Sequence, residues 1–280
     1  MMKVRWGVLG VGLAGRARVS ALRADPRATV VGGFRGDLDA VELEGFHSYE
    51  EMLQHVDAVA ICSPDNFHAS QVHIALSTHR HVVCEYPVAA SAGEASSLFA
   101  LAVARDRILH VEHIELLTPA ARWIRQFAVG KKLLGGNVRF KGGSRQMATS
   151  PAHANIARFQ RIIDAVGVPE DVSVERCTPS NLSVHLLYSD DVTVSLDCHM
   201  EEGSSRHLEM VLEFDRGIVR QQDRRIFVDG EEVELESGPR LFETDQLAAS
   251  AAILDGAEPY IPMEQVLDGL SLADLVMGVS

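Results

Sequence analysis

No run of apolar residues in this chain approaches the ~20 needed to cross a bilayer, which argues against a membrane-spanning helix, and no membrane partner is expected. The start, Met1 to Trp6, leads straight into a strand pattern without the apolar core of a signal peptide, so a cytoplasmic location is expected. Cysteine is scarce. Cys62, Cys84, Cys177 and Cys198 lack CxxC spacing and lie mostly in apolar runs, which favours buried reduced thiols over a disulfide or zinc framework, and no metal is expected. An extended basic face is also missing, and the formal net charge of −13 argues against nucleic acid. Neither an internal repeat nor a low-complexity linker interrupts the chain. What remains, 280 residues that are 46% hydrophobic and 23% charged, is a globular composition. That length suits two domains, because single cores stop growing at roughly 250–300 residues.

The first 117 residues alternate short apolar runs with helical segments. Val4 to Leu9, Thr29 to Phe34, Asp57 to Cys62, His81 to Cys84 and Ile108 to Val111 read as strands, with helices over Leu13 to Ala24, Ser48 to His55, Ala69 to Thr78 and Ser91 to Arg105 between them. Such a βαβ series implies a doubly wound parallel sheet whose ligands sit beyond the carboxyl ends of its strands. Gly10-Val11-Gly12-Leu13-Ala14-Gly15 lies at the first strand-to-helix turn and fits the dinucleotide fingerprint. Gly10 permits the turn, Gly12 admits a diphosphate, Gly15 lets the helix pack closely, and the amides around Leu13 and Ala14 face the phosphates. At the end of the second strand, where an acidic residue would mark NAD, the residue is Arg35, whose guanidinium suits the 2′-phosphate of NADP. NADPH is the expected cofactor, with NADH possible if Arg35 points to solvent and Asp37 takes the ribose.

Two further strand ends carry the most specific pattern. One ends in Glu85-Tyr86-Pro87, and the other continues as His110-Val111-Glu112-His113-Ile114-Glu115-Leu116-Leu117. Pro87 fixes the turn that holds Glu85 and Tyr86 at the sheet edge. Alternation along a strand would place His110, Glu112 and Ile114 on one face and Val111, His113 and Glu115 on the other. Thr118-Pro119 then reads as an N-cap with proline at the first helical position, which ends the first domain and opens a helix.

These segments resemble the glucose-fructose oxidoreductase-like family of nicotinamide enzymes, and within it the biliverdin reductase family. The broader family usually reads Glu-Lys-Pro, with the lysine acting as acid or base on a hydroxyl, where this chain has Tyr86. A phenol, with a pKa near ~10, is a poor base at neutral pH but a serviceable donor or stacking surface. The substitution therefore favours reduction of a conjugated system, here biliverdin to bilirubin, over alcohol oxidation. Ser63-Pro64-Asp65-Asn66-Phe67-His68 is similar to the family's Thr-Pro-x-x-x-His segment, which implies that Ser63, Pro64 and His68, with Glu85, lie on the cofactor side. The resemblance extends to Asn155-Ile156-Ala157-Arg158-Phe159, Arg225-Ile226-Phe227, Arg240-Leu241-Phe242 and Asp245. It implies catalytic roles for Tyr86, Glu112 and Arg158, with His113 and Glu115 on the substrate side. One of His110 and His113 is expected to be a hydrogen-bonded structural histidine.

The remaining sequence suggests an α+β domain. Helices are expected at Pro119 to Val129, Ser150 to Val166, Glu243 to Leu254 and Met263 to Met277, and seven strands between Asn137 and Val228 are separated by turns such as Ser189-Asp190-Asp191 and Asp215-Arg216-Gly217. The expected organisation is thus a Rossmann NAD(P)-binding domain over residues 1–117 and an α+β substrate domain, built on a largely antiparallel sheet, over residues 118–280. Departures from the resemblance concern the substrate. A segment rich in Phe, Gly and Pro is missing between Met147 and Ala154, Asn155 begins the arginine run, and His79-Arg80-His81 replaces the usual Gly-Lys-His. Another conjugated imine or tetrapyrrole, a sugar-type alcohol, or a non-catalytic NADP-binding role stay open, as do a monomer and a homodimer.

Overall fold

A computed structural model describes residues 3–142, 150–238 and 240–278. The chain divides into two compact units, Met1–Ile114 with Pro239–Leu267, and Glu115–Gly238 with Asp268–Ser280. In the first unit, strands β1 (Val4–Val11), β2 (Ala28–Gly36), β3 (Ala58–Ile61), β4 (His81–Cys84) and β5 (Leu109–Val111) alternate with helices α1 (Leu13–Ala24), α2 (Tyr49–His55), α3 (His68–Ser77) and α4 (Ala92–Ala104). The strands form one parallel sheet in the order β2-β1-β3-β4-β5. All four residues of β3 are buried, as expected of a strand covered by helices on both faces. Ser48 and Ser91 cap α2 and α4, accepting from Glu51 N and Glu94 N at 3.0 and 3.2 Å. Because β2 and β3 lie on opposite sides of β1, the order in which strands are added reverses between β1 and β3. Such a reversal opens the ligand crevice of a doubly wound fold.

The second unit contains α5 (Pro119–Ala128), β6 (Leu133–Gly142), α6 (Ile156–Val166) and β7 (Asp171–Thr178), β8 (Asn181–Leu187), β9 (Thr193–Met200), β10 (His207–Phe214), β11 (Gly217–Gln222), β12 (Arg225–Val228) and β13 (Glu231–Val233). Their order is β13-β12-β11-β10-β6-β9-β8-β7, antiparallel except where β6 meets β9. Alternation is clear in β8, where Leu182, Val184 and Leu186 are buried and the residues between them are not. Each such side chain contributes about 1.5–3 kcal/mol on burial. Thr118 caps α5 through a bond from Ala121 N of 3.2 Å, with Pro119 at the first helical position, as the sequence indicates.

Several expectations need correction. Helix α7 (Leu241–Asp255), assigned from sequence to the second domain, belongs to the first unit, while α8 (Met263–Met277) runs from the first unit into the second. Polar bonds explain the return of α7: Ser250 Oγ donates to Asp25 and Arg18 pairs with Asp245, contacts that no local pattern announces. The strand carrying His110 ends at Val111, and Ile114–Leu117 is a 3-10 turn, so alternation does not extend to His113 and Glu115. The backbone follows Glu112 instead, whose Oε1 accepts from Ile114 N at 2.8 Å. β6 begins at Leu133 rather than Asn137, because pairing on both sides overrides the turn-like Gly135-Gly136. All four cysteines are free, but only Cys84 and Cys198 are buried.

Candidate active site

The glycine turn lies at the reversal of the first sheet. Gly10 has φ of 91°, and a Cβ there would meet Ser63 N at 2.7 Å. At Gly15 a Cβ would stand 2.2 Å from Gly10 O, so β1 and α1 approach at a distance no side chain permits. Gly12 differs: a Cβ there meets nothing within 4 Å, which leaves open space beside the start of α1. The first bond of α1 runs from Arg16 N to Gly12 O at 3.0 Å, so the amides of Leu13, Ala14 and Gly15 have no partner within the helix. Open space, free amides and the positive end of a helix fit the diphosphate of a dinucleotide. Gly12→Asp should therefore leave the melting temperature nearly unchanged yet weaken cofactor binding at least ~10-fold, since it places an anion where phosphate is held. Cofactor fluorescence titration beside a thermal melt checks this.

Arg35, at the end of β2, is exposed in a left-handed conformation with φ of 64°, its guanidinium 5.4 Å from the Phe34 ring centre. Asp37 is engaged elsewhere, bonded to Arg16 at 2.7 Å and to Ala40 N at 3.2 Å. Beyond β3, Ser63 Oγ donates to Gln71 and Pro64 is exposed. His68 is buried, with its ring nitrogens 2.7 Å from Pro87 O and 2.8 Å from Ser63 O. It ties the loops after β3 and β4 together and holds Ser63 and Pro87 in place.

Tyr86 stacks on His113, with ring centres 5.2 Å apart and planes at 13°. His113 is 2% exposed, and burial lowers its pKa to about 3, so it presents a neutral surface to the tyrosine. Its backbone N–H donates to Tyr260 Oη at 2.8 Å. Glu112 is 1% exposed; burial, then the charge and hydrogen bond of Glu85, hold its carboxyl well above the usual range.

A buried polar network lies behind this pair, and most of it escaped the sequence reading. Asp245 accepts from His110 Nε2 at 2.8 Å and from Tyr260 Oη at 2.7 Å, and pairs with Arg18 at 2.6 Å. Opposed to its burial, Arg18 and His110 hold the Asp245 carboxyl below the ordinary range, whereas burial and Asp245 push the Tyr260 phenol up. His110 is thus a hydrogen-bonded structural histidine. A signal for Arg18 was present: it falls with Gly15, Val19 and Leu22 on the buried stripe of α1, where a charge needs a buried partner.

In the second unit, Arg158 lies on α6 with its guanidinium 3.7 Å from the Phe140 ring centre. Its Nη2 is 3.4 Å from Glu115 Oε1, which Arg206 also approaches at 3.9 Å. Arg161 beside it reaches Gln221 at 2.8 Å and Glu115 O at 3.4 Å. The sequence candidates therefore assemble as two groups: the glycine turn, Ser63, His68, Glu85, Tyr86, Glu112 and His113 in the first unit, and Glu115 with Arg158 in the second. The shortened segment before Arg158 falls in part on residues 143–149, outside the described residues.

Biliverdin reductase A of Mus musculus is 28% identical over 243 residues, covering 84% of this chain and 78% of that protein. UDP-N-acetylglucosamine 3-dehydrogenase of Acidithiobacillus ferrooxidans is 31% identical over 135 residues, 46% of this chain and 43% of its own. The fold matches the crystal structure of biliverdin reductase in complex with biliverdin and NADP+ from Synechocystis sp. PCC 6803, with a TM-score of 0.88, 24% identity and coverage of 99% and 98%. Residues 4–113 match the oxidoreductase family with an NAD-binding Rossmann fold, the segment that carries the glycine turn and the Glu85-Tyr86-Pro87 strand end. The match is confined to that segment, and the chain is an NAD(P)-dependent oxidoreductase.

Proposed function

We propose that the chain reduces biliverdin to bilirubin with NADPH, by hydride transfer to the central methine carbon. One observation carries this reading: where an alcohol-oxidising relative would place a basic lysine, this site has Tyr86, stacked on a neutral histidine beside a carboxyl, Glu112, that keeps its proton. Removing a hydroxyl proton wants a base, whereas reducing a conjugated bridge wants a proton donor for a pyrrole nitrogen. When bound, the nicotinamide supplies the hydride. Tyr86 offers a donor and a flat surface whose orientation His113 fixes. Arg158, stacked on Phe140 and only loosely engaged by Glu115 at 3.4 Å, offers a guanidinium for a substrate carboxylate. The likeness to biliverdin reductase A over 84% of the chain supports the same assignment.

NADPH is the proposed cofactor because Arg35 is exposed at the ribose end and Asp37 is engaged by Arg16. One charge-assisted bond contributes about 1.5–3 kcal/mol, so Arg35→Ala should lower the NADPH over NADH preference roughly 10- to 100-fold in kcat/KM. An unchanged ratio would remove Arg35 from the account. A second reading, oxidation of a sugar-type alcohol, draws on the partial likeness to UDP-N-acetylglucosamine 3-dehydrogenase. Incubation with biliverdin and NADPH separates the two. Loss of the biliverdin band with one NADPH consumed per bilirubin formed is expected, while turnover of a sugar nucleotide with NADP+ alone would favour the alternative.

A further inference from the structure

Cys84 pairs with Val111 in the parallel register of β4 and β5, so the next residues, Glu85 and Glu112, leave adjacent strand ends side by side. The Glu112 backbone N–H donates to Cys84 O at 2.9 Å, which fixes the two strand ends together, and the Glu85 carboxyl is near enough to act on that of Glu112. Glu112 is 1% exposed, and the Glu85 side chain is 16% exposed, so the pair has an inner and an outer end. Asp245, fully buried, is a third carboxyl in the same unit. One guanidinium contacts two of the three: Arg18 lies 2.6 Å from Asp245 and 4.0 Å from Glu85.

Among the described residues, His110, His113, Tyr260, Cys62 and Cys84 also act on this cluster. Burial keeps His113 neutral with a pKa of about 3, and it raises the Tyr260 phenol and the Cys62 and Cys84 thiols. His110 commits Nε2 to Asp245, while its Nδ1 is buried without a hydrogen-bond partner among the described residues. A second negative charge beside a buried carboxylate is disfavoured, so burial and the Glu85 neighbour favour a proton on Glu112.

We propose that Glu85 and Glu112 share one transferable proton, passed from Glu112 to Glu85 and delivered from there to the substrate, with Arg18, fixed by Asp245, governing how tightly the pair holds it. This rests on the reading of the site as a reductase and assigns the proton donor within it. The direction of the Glu112 shift, well above the carboxylate range, agrees with the geometry. In the transfer an O–H bond on Glu85 breaks as an N–H bond forms on the substrate. That proton reaches Glu85 from Glu112, whose O–H bond breaks as the one on Glu85 forms, and the pair then regains one proton from solvent. No electrons move in these steps; the two electrons of the reduction travel with the hydride. Arg18 acts through the carboxyls and is a positioning residue.

The test begins with the cofactor-free protein, followed by infrared spectroscopy across pH. A protonated-carboxyl band is expected at pH 7, absent in Glu112→Gln, and lost at least about one pH unit lower in Glu85→Gln, where the neighbouring charge is gone. Glu85→Gln, at the outer end of the pair, keeps the test available if Glu112→Gln folds poorly. With substrate, Glu85→Gln should lower kcat about 10²-fold, the scale of a lost general acid. Absence of the band at pH 7, or its persistence unchanged in both variants, overturns the proposal whatever the substrate. Band behaviour as expected, together with no turnover of biliverdin, would leave the proton pair standing and overturn the substrate assignment alone.

Discussion

Asp245→Ala will destabilise the first unit by about 3–5 kcal/mol, because it strands a buried guanidinium. Arg18 is 1% exposed, and its remaining acidic neighbour, Glu85, stands 4.0 Å away. The same substitution also removes the acceptor of His110 Nε2 and Tyr260 Oη, at 2.8 and 2.7 Å. Truncating one member of a buried pair costs more than the pair's net worth, since the orphaned charge keeps its desolvation penalty. The double variant Arg18→Met with Asp245→Leu should therefore be less destabilised than Asp245→Ala. Denaturant unfolding of Arg18→Met, Asp245→Leu and the double variant closes the cycle. A loss below about 1 kcal/mol for Asp245→Ala would mean that Arg18 finds water or another partner, and the network would lose its place in the account.

Acid response gives the second large effect, and its sign depends on which buried group is removed. His113 has a folded pKa of about 3. An unfolded histidine takes its proton near ~6.5. Its contribution to stability is complete above that value and is lost as pH falls toward the folded value, at about 1.4 kcal/mol per pH unit within the window. Glu112 has the opposite sign, because the folded protein keeps its proton where the unfolded chain gives it up above ~4.3. Between pH 6.5 and 4.5 the two oppose each other in the native chain, and His81, with a pKa lowered to about 4 by burial, acts in the same direction as His113. Single variants separate them. His113→Phe should gain stability relative to the native chain as pH falls, and Glu112→Gln should lose it. Unfolding midpoints at pH 7, 6 and 5 read this directly, and parallel pH curves for all three proteins would contradict it.

Most of the first unit could be read from sequence because its strands and helices are local patterns. Leu13–Ala24 and His81–Cys84 fall where periodicity places them, and the glycine turn sits at the strand-to-helix junction its spacing requires. The site residues that escaped notice depend on distant pairing. Arg18 and Asp245 are 227 positions apart yet 2.6 Å apart in space, and only a charge on a buried helical stripe hinted that each needed a partner. His113 and Glu115 show the reverse problem. Strand alternation predicted opposite faces from Glu112, but the strand stops at Val111 and a 3-10 turn follows, placing His113 behind Tyr86 and Glu115 beside Arg158. The nearness of Glu85 to Glu112 follows from a register, Cys84 with Val111, that the sequence does not state.

Isotope transfer tests the central claim most directly. With biliverdin and NADPH deuterated at the transferable position of the nicotinamide, the bilirubin formed should carry one deuterium at its central methylene, as mass spectrometry and proton NMR would reveal. Bilirubin without that deuterium, or no consumption of biliverdin by protein that binds NADPH, would contradict hydride delivery to the methine carbon by this site.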